Sequence, residues 1–300
     1  MNTANCLQEL TDSGHIARDA RVVSTNNKVV VLSESEQVVS RICDTTELSE
    51  RDDPHDLRYS HHASWLASDH APVVRPLGPE PIITGSYLIS SYPLLREAGT
   101  LHTADAPELF SLVQFFGNAL TAVDRGMALR ELNVGAYVEE RLTSMESQSH
   151  PSPRLLDYVR TATDQMHTLY PFDELVSADT ALIHGDFKTD NLVRDSNGNI
   201  KVIDLDAVAV GPRLYDIASW RLRAALGDKA PVEAMADAGR RSITWNEEAY
   251  RSLIGWKAIS SMSFTLQYET PSIHTEKTID IAHQAALLGG LAVLPDHLSV

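Results

Sequence analysis

A short segment near residue 200 constrains the fold of this chain more than any other feature. Asn197 and Gly198 stand between two runs with strand-forming residues, Asn191-Leu-Val-Arg194 and Ile200-Lys-Val-Ile203. An Asn-Gly pair between such runs is the strongest short-range signal for a β-hairpin, because both central residues of the tight turn need a positive φ. The segment therefore predicts two antiparallel strands joined by a two-residue turn at Asn197-Gly198.

The predicted hairpin brings three polar side chains to one end. Asp186 lies in a polar loop after the apolar pair Leu182-Ile183, Asn191 begins the first strand, and Asp204 follows the second. Carboxylate and amide oxygens are hard ligands, which suit a Mg²⁺ ion that carries a polyphosphate. The hairpin therefore predicts a site for a magnesium-polyphosphate complex.

The order and spacing of these residues match the phosphoryl-transfer layout of protein kinases. There a catalytic-loop Asp accepts the proton of the acceptor hydroxyl, a later Asn holds one Mg²⁺, and an Asp after the next strand holds the metal ions. Asp186 and Asn191 keep the kinase interval of five residues, while Gly185 replaces the arginine of the kinase H-R-D pattern. Ile203-Asp204-Leu205 replaces the kinase D-F-G sequence.

With those two replacements, the sequence resembles one group of small-molecule kinases, the aminoglycoside phosphotransferase and choline kinase family. The matching motifs are H-G-D-x-x-x-x-N at 184–191, I-D-x-D at 203–206 and x-D-I-A at 215–218. Most of the matching positions lie within about 181–219. Fewer positions match over 26–95, and almost none match beyond 220. The resemblance implies an α+β fold with two lobes like that of protein kinases, with a small β-rich N-lobe and a larger, mainly helical C-lobe.

The resemblance also implies a catalytic role for several residues. Asp186 would act as the general base or hydroxyl-orienting carboxylate. His184 would brace its loop, with Asp216 supporting that loop from the following helix. Lys188 stands at the kinase position whose ammonium approaches the transferring phosphate.

The nucleotide site follows from the same resemblance. The cofactors would be ATP and Mg²⁺, with Asn191 and Asp204 as the metal ligands. Arg41 stands where kinases place the cation over the α- and β-phosphates, and Ser91 lies in the connector that would offer backbone hydrogen bonds to adenine. The helix carboxylate that usually pairs with the cation is missing, and Asp56 is the nearest candidate.

The remaining pattern divides the chain into two regions. Short strand-forming segments and one helix predict a β-rich N-lobe over 1–90, which the resemblance implies is the nucleotide-binding lobe, followed by a short connector near 90–93. The helical periodicity of residues 91–300 predicts a mainly helical C-lobe around the hairpin at 181–208. The resemblance implies that this lobe contains the catalytic hairpin and the acceptor pocket. The expected strands are 28–33, 37–43, 81–84 and 87–90, and the expected helices include 58–68, 109–123, 155–169, 245–268 and 275–291.

Composition restricts the partners. The 25 basic and 41 acidic residues give a net charge of −16, which argues against nucleic acid and membrane partners and weakly favours a cationic acceptor. No apolar run approaches the roughly 20 residues needed to span a bilayer, and the first residues lack a signal-peptide pattern, so we expect a cytoplasmic protein. The two cysteines exclude a disulfide framework. The oligomeric state stays open.

The expected function is therefore ATP-dependent phosphorylation of a hydroxyl group on a small molecule. The acceptor stays open among aminoglycosides, other antibiotics, amino alcohols such as choline, sugars and homoserine. The loop Ser24-Thr-Asn-Asn27, which has no glycine, motivates a first alternative, a nucleotide-binding module without turnover. A metal-dependent hydrolase is a second alternative, although such enzymes usually show more His and Asp ligands at metal spacing. The pair His61-His62 is expected on a helix surface.

Overall fold

Two compact units make up the protein. The computed structural model describes residues 3–24, 29–46, 54–147, 153–225, 231–243 and 245–268. The first unit comprises Met1–Gly99, Asn118–Leu129 and Asp190–Val208, and the second comprises Thr100–Gly117, Arg130–Thr189 and Ala209–Val300. The contact pattern therefore assigns the hairpin after residue 190 to the first unit and the loop before it to the second.

Strands and helices occur mostly in separate runs along the chain, which is typical of an α+β fold. The strands are β1 (Arg21–Ser24), β2 (Val29–Ser33), β3 (Val38–Asp44), β4 (Ile82–Thr84), β5 (Tyr87–Pro93), β6 (Arg96–Glu97), β7 (Thr180–Ile183), β8 (Leu192–Arg194), β9 (Ile200–Val202) and β10 (Ala209–Pro212). The helices are α1 (Thr3–Asp12), α2 (Pro54–Ala67), α3 (Ala106–Gly126), α4 (Val134–Ser147), α5 (Pro153–Leu169), α6 (Phe172–Ala178), α7 (Tyr215–Ala225), α8 (Val232–Ser242) and α9 (Glu247–Tyr268).

The first unit contains a five-stranded antiparallel sheet, in the order β1-β2-β3-β5-β4. This arrangement confirms the strand pairs expected near 28–43 and 81–90. Strand β5 runs to Pro93, so the segment expected as a connector near 90–93 is the end of a strand. Helix α1, which the sequence pattern did not predict, packs its Cys6 and Leu10 against one face of the sheet.

The other face of the sheet carries the residues that matter for the site. Helix α2 places Leu57 against Cys43 and Leu88, and all three side chains are buried. Side chains alternate between the two faces along a strand, so Arg41 shares this face with Cys43. Helix α2 (Pro54–Ala67) confirms the helix that we expected at 58–68, although it begins four residues earlier.

The predicted hairpin is present, with Leu192 paired to Val202 and Arg194 paired to Ile200. Its turn differs from the expected one, because only Gly198 has a positive φ, of 84°, and the connection spans 195–199. The Asp195 carboxylate accepts hydrogen bonds from the backbone N–H groups of Asn197 and Asn199, at 2.9 and 3.0 Å. Aspartate commonly bonds to the backbone two residues further on, and here that preference stabilises a longer loop than the tight Asn-Gly turn.

The second unit is mainly helical, with a short antiparallel pair formed by β7 and β10. Helices α3, α5 and α9 confirm the expectations for 109–123, 155–169 and 245–268, whereas 275–291 lies outside the described residues. Phe187 stacks on the fully buried Trp220 with ring centroids 4.9 Å apart, which anchors the loop after β7 to α7. No helix among the described residues is long and apolar enough to cross a membrane.

Candidate active site

A buried strand delivers the loop that contains Asp186. Residues 181–183 of β7 are almost completely buried, and the strand pairs with β10 up to Ile183. Gly185 then adopts a φ of 81°, a left-handed conformation that a side chain would make unfavourable. The chain turns at this glycine, in a conformation that a residue with a side chain, such as the arginine of the kinase H-R-D pattern, adopts only with strain.

Two buried polar side chains hold the backbone of this loop. Asp216, in the first turn of α7, accepts hydrogen bonds from the backbone N–H groups of His184 and Gly185, at 2.8 and 2.9 Å. His184 accepts a hydrogen bond at Nδ1 from the backbone N–H of Asp186, at 3.3 Å. Burial raises the pKa of the Asp216 carboxyl, although His184 and the two N–H donors act in the opposite direction. The loop is thus fixed from α7, as the sequence motif predicted.

Replacing Asp216 with alanine tests how strongly this contact stabilises the protein. The Asp216→Ala variant leaves two backbone N–H groups buried without an acceptor, so we expect the free energy of unfolding to fall by about 2–4 kcal/mol. Urea denaturation measures this change. Asp173→Ala, at an exposed position of α6, is the matched control and should change stability by at most about 0.5 kcal/mol. Equal stabilities of the two variants would contradict the anchoring role.

Cations of the second unit surround the Asp186 carboxylate. Lys188 Nζ lies 2.6 Å from Oδ2, and Arg223 Nη2 lies 3.3 Å from Oδ1. Lys257 donates to the Gly185 carbonyl oxygen at 3.4 Å. Burial alone would raise the pKa of the Asp186 carboxyl, but the charges of Lys188, Lys257 and Arg223 outweigh it and hold that pKa below its usual value. Asp186 is therefore ionised at neutral pH.

Sequence reasoning missed Arg223 and Lys257. They come from α7 and α9, which lie 37 and 71 residues beyond Asp186 in the sequence. No motif connects them to the catalytic loop, because their approach depends on how the two helices pack. Helical periodicity alone predicts both helices without indicating which polar residue faces the loop.

The first unit contains the other predicted polar residues. Asn191 is buried, and its backbone carbonyl oxygen accepts a hydrogen bond from the backbone N–H of Ile203 at 3.0 Å. Asp204 follows directly and has a φ of 64° and a ψ of 64°, a left-handed conformation that is rare outside glycine. Such conformations cluster at functional sites, where the surrounding structure offsets their cost. The hairpin therefore places Asn191 and Asp204 at one end, as predicted.

Arg41 lies against the same end of the hairpin. Its Nη1 is 3.1 Å from Asp204 Oδ1, and its Nη2 is 2.6 Å from Asp206 Oδ2. Only 12% of the Arg41 side chain is exposed, so these charge-assisted contacts are largely shielded from water. Carboxylates of the hairpin thus pair with Arg41, whereas Asp56 falls among the residues whose side chains are not described.

The donor set at this end fits a magnesium ion. Asn191 offers an amide oxygen, and Asp204 offers a carboxylate, both of which are the oxygen ligands that Mg²⁺ prefers. Among the described residues, no group of three or more His, Cys, Asp or Glu side chains could hold a metal ion by itself. An ion at Asn191 and Asp204 would need further oxygen ligands, such as those of a phosphate group.

The structure does not bring Ser91 together with Arg41. Ser91 pairs with Ser40 across β3 and β5, and their hydroxyl oxygens lie 2.7 Å apart on the face of the sheet opposite Arg41. The Ser91 carbonyl oxygen accepts a hydrogen bond from the backbone N–H of Leu77 at 2.9 Å. The adenine contact that we expected at Ser91 therefore stays a prediction, and its carbonyl oxygen already has a protein partner.

His61 was wrongly expected on a helix surface. Its side chain is buried, and its ring nitrogens lie 2.7 Å from the Ser90 hydroxyl oxygen and 3.0 Å from the Gly78 carbonyl oxygen. Burial lowers the pKa of His61, so its neutral form predominates at neutral pH. His62 remains partly exposed and contacts Glu80 at 2.7 Å. His61 is thus a core residue of the first unit.

Comparisons with known proteins bear on this site. A model of the phosphotransferase enzyme family APH matches residues 23–253, which is most of the chain. A comparison with curated protein sequences finds no match.

Solved structures of kinases share the fold. An amicoumacin kinase in complex with AMP-PNP, Ca²⁺ and Ami has a TM-score of 0.66 at 13% identity, with 96% of this chain and 94% of that chain covered. A choline/ethanolamine kinase family protein from Mesorhizobium loti has a TM-score of 0.64 at 11% identity, with 95% of each chain covered. Aminoglycoside phosphotransferase APH(3'')-Id from Streptomyces rimosus, in complex with ADP and streptomycin, has a TM-score of 0.59 at 15% identity, with 87% and 99% covered. At these identities the similarity establishes a protein-kinase-like α+β fold.

Proposed function

The chain belongs to the phosphotransferase enzyme family, and on that basis we propose that it transfers the γ-phosphoryl group of ATP to a hydroxyl group of a small molecule. The observation that carries this proposal is the ionised Asp186 carboxylate on a loop fixed by Asp216. Asn191 follows at the kinase interval of five residues and lies beside Asp204. The solved structures of similar fold, which include an amicoumacin kinase and a complex with ADP and streptomycin, support a small-molecule acceptor.

In this proposal residues of the first unit bind the nucleotide. Arg41 contacts the phosphates, and its ion pairs with Asp204 and Asp206 keep its guanidinium group in a fixed orientation. Asn191 and Asp204 hold Mg²⁺, which neutralises negative charge on the phosphates when it is bound. The rigid fork of an arginine offers parallel hydrogen bonds to phosphate oxygens, which the point charge of a lysine does not.

Residues of the second unit act on the acceptor. The Asp186 carboxylate accepts a hydrogen bond from the acceptor hydroxyl and turns a lone pair of that oxygen toward the γ-phosphorus atom. A carboxylate of lowered pKa is a weak base, so orienting the hydroxyl is its main contribution and the proton moves late in the reaction. Lys188 contacts the same carboxylate, and in this proposal its ammonium group balances charge on the transferring phosphoryl group.

Replacing Arg41 tests the nucleotide contact. Arg41→Gln removes a charged hydrogen-bonding partner of the phosphates, and we expect it to weaken ATP binding by about 10- to 100-fold. Equilibrium binding of AMP-PNP measures the effect. Arg21→Gln serves as the control, because Arg21 is an exposed arginine of β1 that pairs with Glu34. Unchanged affinity in Arg41→Gln would move the phosphate contact to another residue.

The lowered pKa of Asp186 predicts a particular pH dependence. Since the carboxyl stays ionised down to a pH below its usual value, the wild-type kcat/KM should have no acid limb above about pH 5. Lys188→Gln removes the nearest positive charge, so burial then raises the pKa of Asp186 and the acid limb moves to higher pH. The pH at which kcat/KM begins to fall does not depend on how much Lys188→Gln lowers the rate at every pH. Lys201→Gln, a lysine of β9, should leave the limb unchanged, and an unmoved limb in Lys188→Gln would contradict the assignment.

A screen for ATP consumption tests the proposed function. The protein is incubated with ATP, Mg²⁺ and a panel of aminoglycosides, peptide antibiotics, amino alcohols, hydroxy acids and sugars. We expect at least one compound to stimulate ADP formation, and Asp186→Asn to abolish this stimulation. Nucleotide binding without stimulation by any compound would favour a binding module without turnover.

A further inference from the structure

The catalytic loop carries more positive charge than its carboxylate requires. Lys188, Arg223 and Lys257 all influence Asp186, and each comes from a different element of the second unit. The buried Asp216 offsets part of the charge of Lys257. The described cluster still contains three cations and two carboxyl groups, so it has a net positive charge whenever both carboxyls are ionised.

Arg223 and Lys257 have hydrogen-bonding capacity to spare. A guanidinium group has five N–H donors and an ammonium group has three. Among the described residues, each group makes one long hydrogen bond, at 3.3 Å from Arg223 to Asp186 and 3.4 Å from Lys257 to Gly185, and Lys257 Nζ also lies 5.2 Å from the centroid of the Tyr215 ring. About one third of the Arg223 side chain is exposed, so its remaining donors can reach a ligand.

We infer that Arg223 and Lys257 form an anion subsite for the acceptor, which is therefore a hydroxy compound with a carboxylate or phosphate group. This inference rests on the proposed kinase function, because Asp186 must engage the hydroxyl of the same molecule. The anionic group binds the guanidinium and ammonium groups, and this contact holds the hydroxyl near Asp186. The γ-phosphorus atom then forms a bond to the hydroxyl oxygen as its bond to the β–γ bridging oxygen breaks. ADP leaves, and the hydroxyl proton passes through Asp186 to solvent.

The same cluster disfavours a polycationic acceptor. An ammonium group placed beside Arg223 and Lys257 meets like charges at short range, where Coulomb repulsion is strongest. The whole-chain charge of −16 acts in the opposite sense, but salt screens exposed charges beyond about 8 Å at physiological ionic strength. The charges close to Asp186 therefore determine which acceptor binds. The inference favours an anionic acceptor over the cationic acceptor that composition weakly favoured.

Single-residue variants distinguish the effect of the subsite cations from that of a neighbouring cation. Arg223→Gln removes the charge and keeps a polar side chain of similar shape, while Arg223→Lys keeps the charge. Arg221→Gln is the matched control, because Arg221 lies on the same helix and pairs with Glu233. Lys257→Gln tests the second cation.

The test compares acceptors that differ only in charge. Hydroxycarboxylates such as 4-hydroxybutyrate, their neutral amides and the corresponding amino alcohols are screened with Mg²⁺ and ATP for turnover. Saturating Mg²⁺ and AMP-PNP replace ATP when binding is measured, so that anions cannot bind at the nucleotide site. We expect anionic acceptors to bind best and Arg223→Gln to weaken them by about tenfold or more, which is the usual scale for a charged hydrogen bond. Arg223→Lys should restore part of the loss, and Arg221→Gln should change nothing.

The outcomes distinguish failure of the anion subsite from failure of the proposed kinase activity. A preference for amino alcohols or aminoglycosides, with turnover that Asp186→Asn abolishes, would overturn the anion subsite and leave the kinase intact. Anion binding that depends on Arg223 without any transfer would keep the subsite and overturn the kinase. Failure of every hydroxy acid to bind, or equal binding by wild type and Arg223→Gln, would overturn the subsite.

Discussion

Asp186→Asn should lower the rate of phosphoryl transfer by about 10²- to 10⁴-fold, the usual contribution of a positioned acid-base group. Asparagine has nearly the same shape but carries no negative charge, so it can neither orient the hydroxyl as a carboxylate does nor take its proton. Steady-state kinetics with a coupled ADP assay measure the loss. Since the residues proposed to bind the nucleotide belong to the first unit, AMP-PNP affinity should stay within a few-fold of wild type.

The control for this variant is Asp173→Asn, which makes the same chemical change at an exposed position of α6. It should retain wild-type kinetics. Full transfer activity in Asp186→Asn would remove Asp186 from the reaction, and loss of nucleotide binding together with transfer would show that its role is in the nucleotide site.

Asp204→Ala should abolish the dependence of nucleotide binding on Mg²⁺. The change removes a proposed metal ligand and one of the two carboxylates that hold Arg41, at 3.1 Å. Calorimetric titration of AMP-PNP with and without Mg²⁺ measures the difference in affinity. Wild type should bind much more tightly with Mg²⁺, while Asp204→Ala should bind weakly and equally under both conditions.

Asp195→Ala provides the comparison for that variant, because Asp195 belongs to the same hairpin but lies in the loop at its other end. It should keep the response to Mg²⁺. If Asp204→Ala kept the same response, the metal would have to lie elsewhere, and the reading of the hairpin as a metal site would fail.

The hairpin shows why part of the site could be predicted from sequence. Asn191 and Asp204 lie within fourteen positions of each other, and a strand pair between them brings both to one end whatever the rest of the chain does. The exact turn was wrong, since the Asp195 carboxylate stabilises a five-residue connection. The longer connection also shifts the register by one residue, because a two-residue turn at 197–198 would pair Arg194 with Lys201, whereas Arg194 pairs with Ile200.

Contacts between distant elements could not be predicted in the same way. The sequence showed no helix carboxylate at the expected place beside Arg41, and it did not indicate the ion pairs that Arg41 forms with Asp204 and Asp206. Arg223 and Lys257 reach the catalytic loop only because α7 and α9 pack beside it. The pair His61-His62 was expected on a helix surface because no third metal ligand lies nearby in the sequence, yet hydrogen bonds to Ser90 and Gly78 stabilise His61 in the core. In each case the partner is set by tertiary packing, which neither local pattern nor composition specifies.

The most direct measurement follows the phosphorus atoms themselves. Phosphorus-31 NMR of a mixture of ATP, Mg²⁺, an acceptor from the screen and the protein distinguishes transfer to the acceptor from hydrolysis. We predict a new phosphomonoester resonance that grows in step with ADP and is absent with Asp186→Asn. Formation of ADP and inorganic phosphate alone, or an equal phosphomonoester signal with Asp186→Asn, would contradict the proposal that this protein is a kinase acting through Asp186.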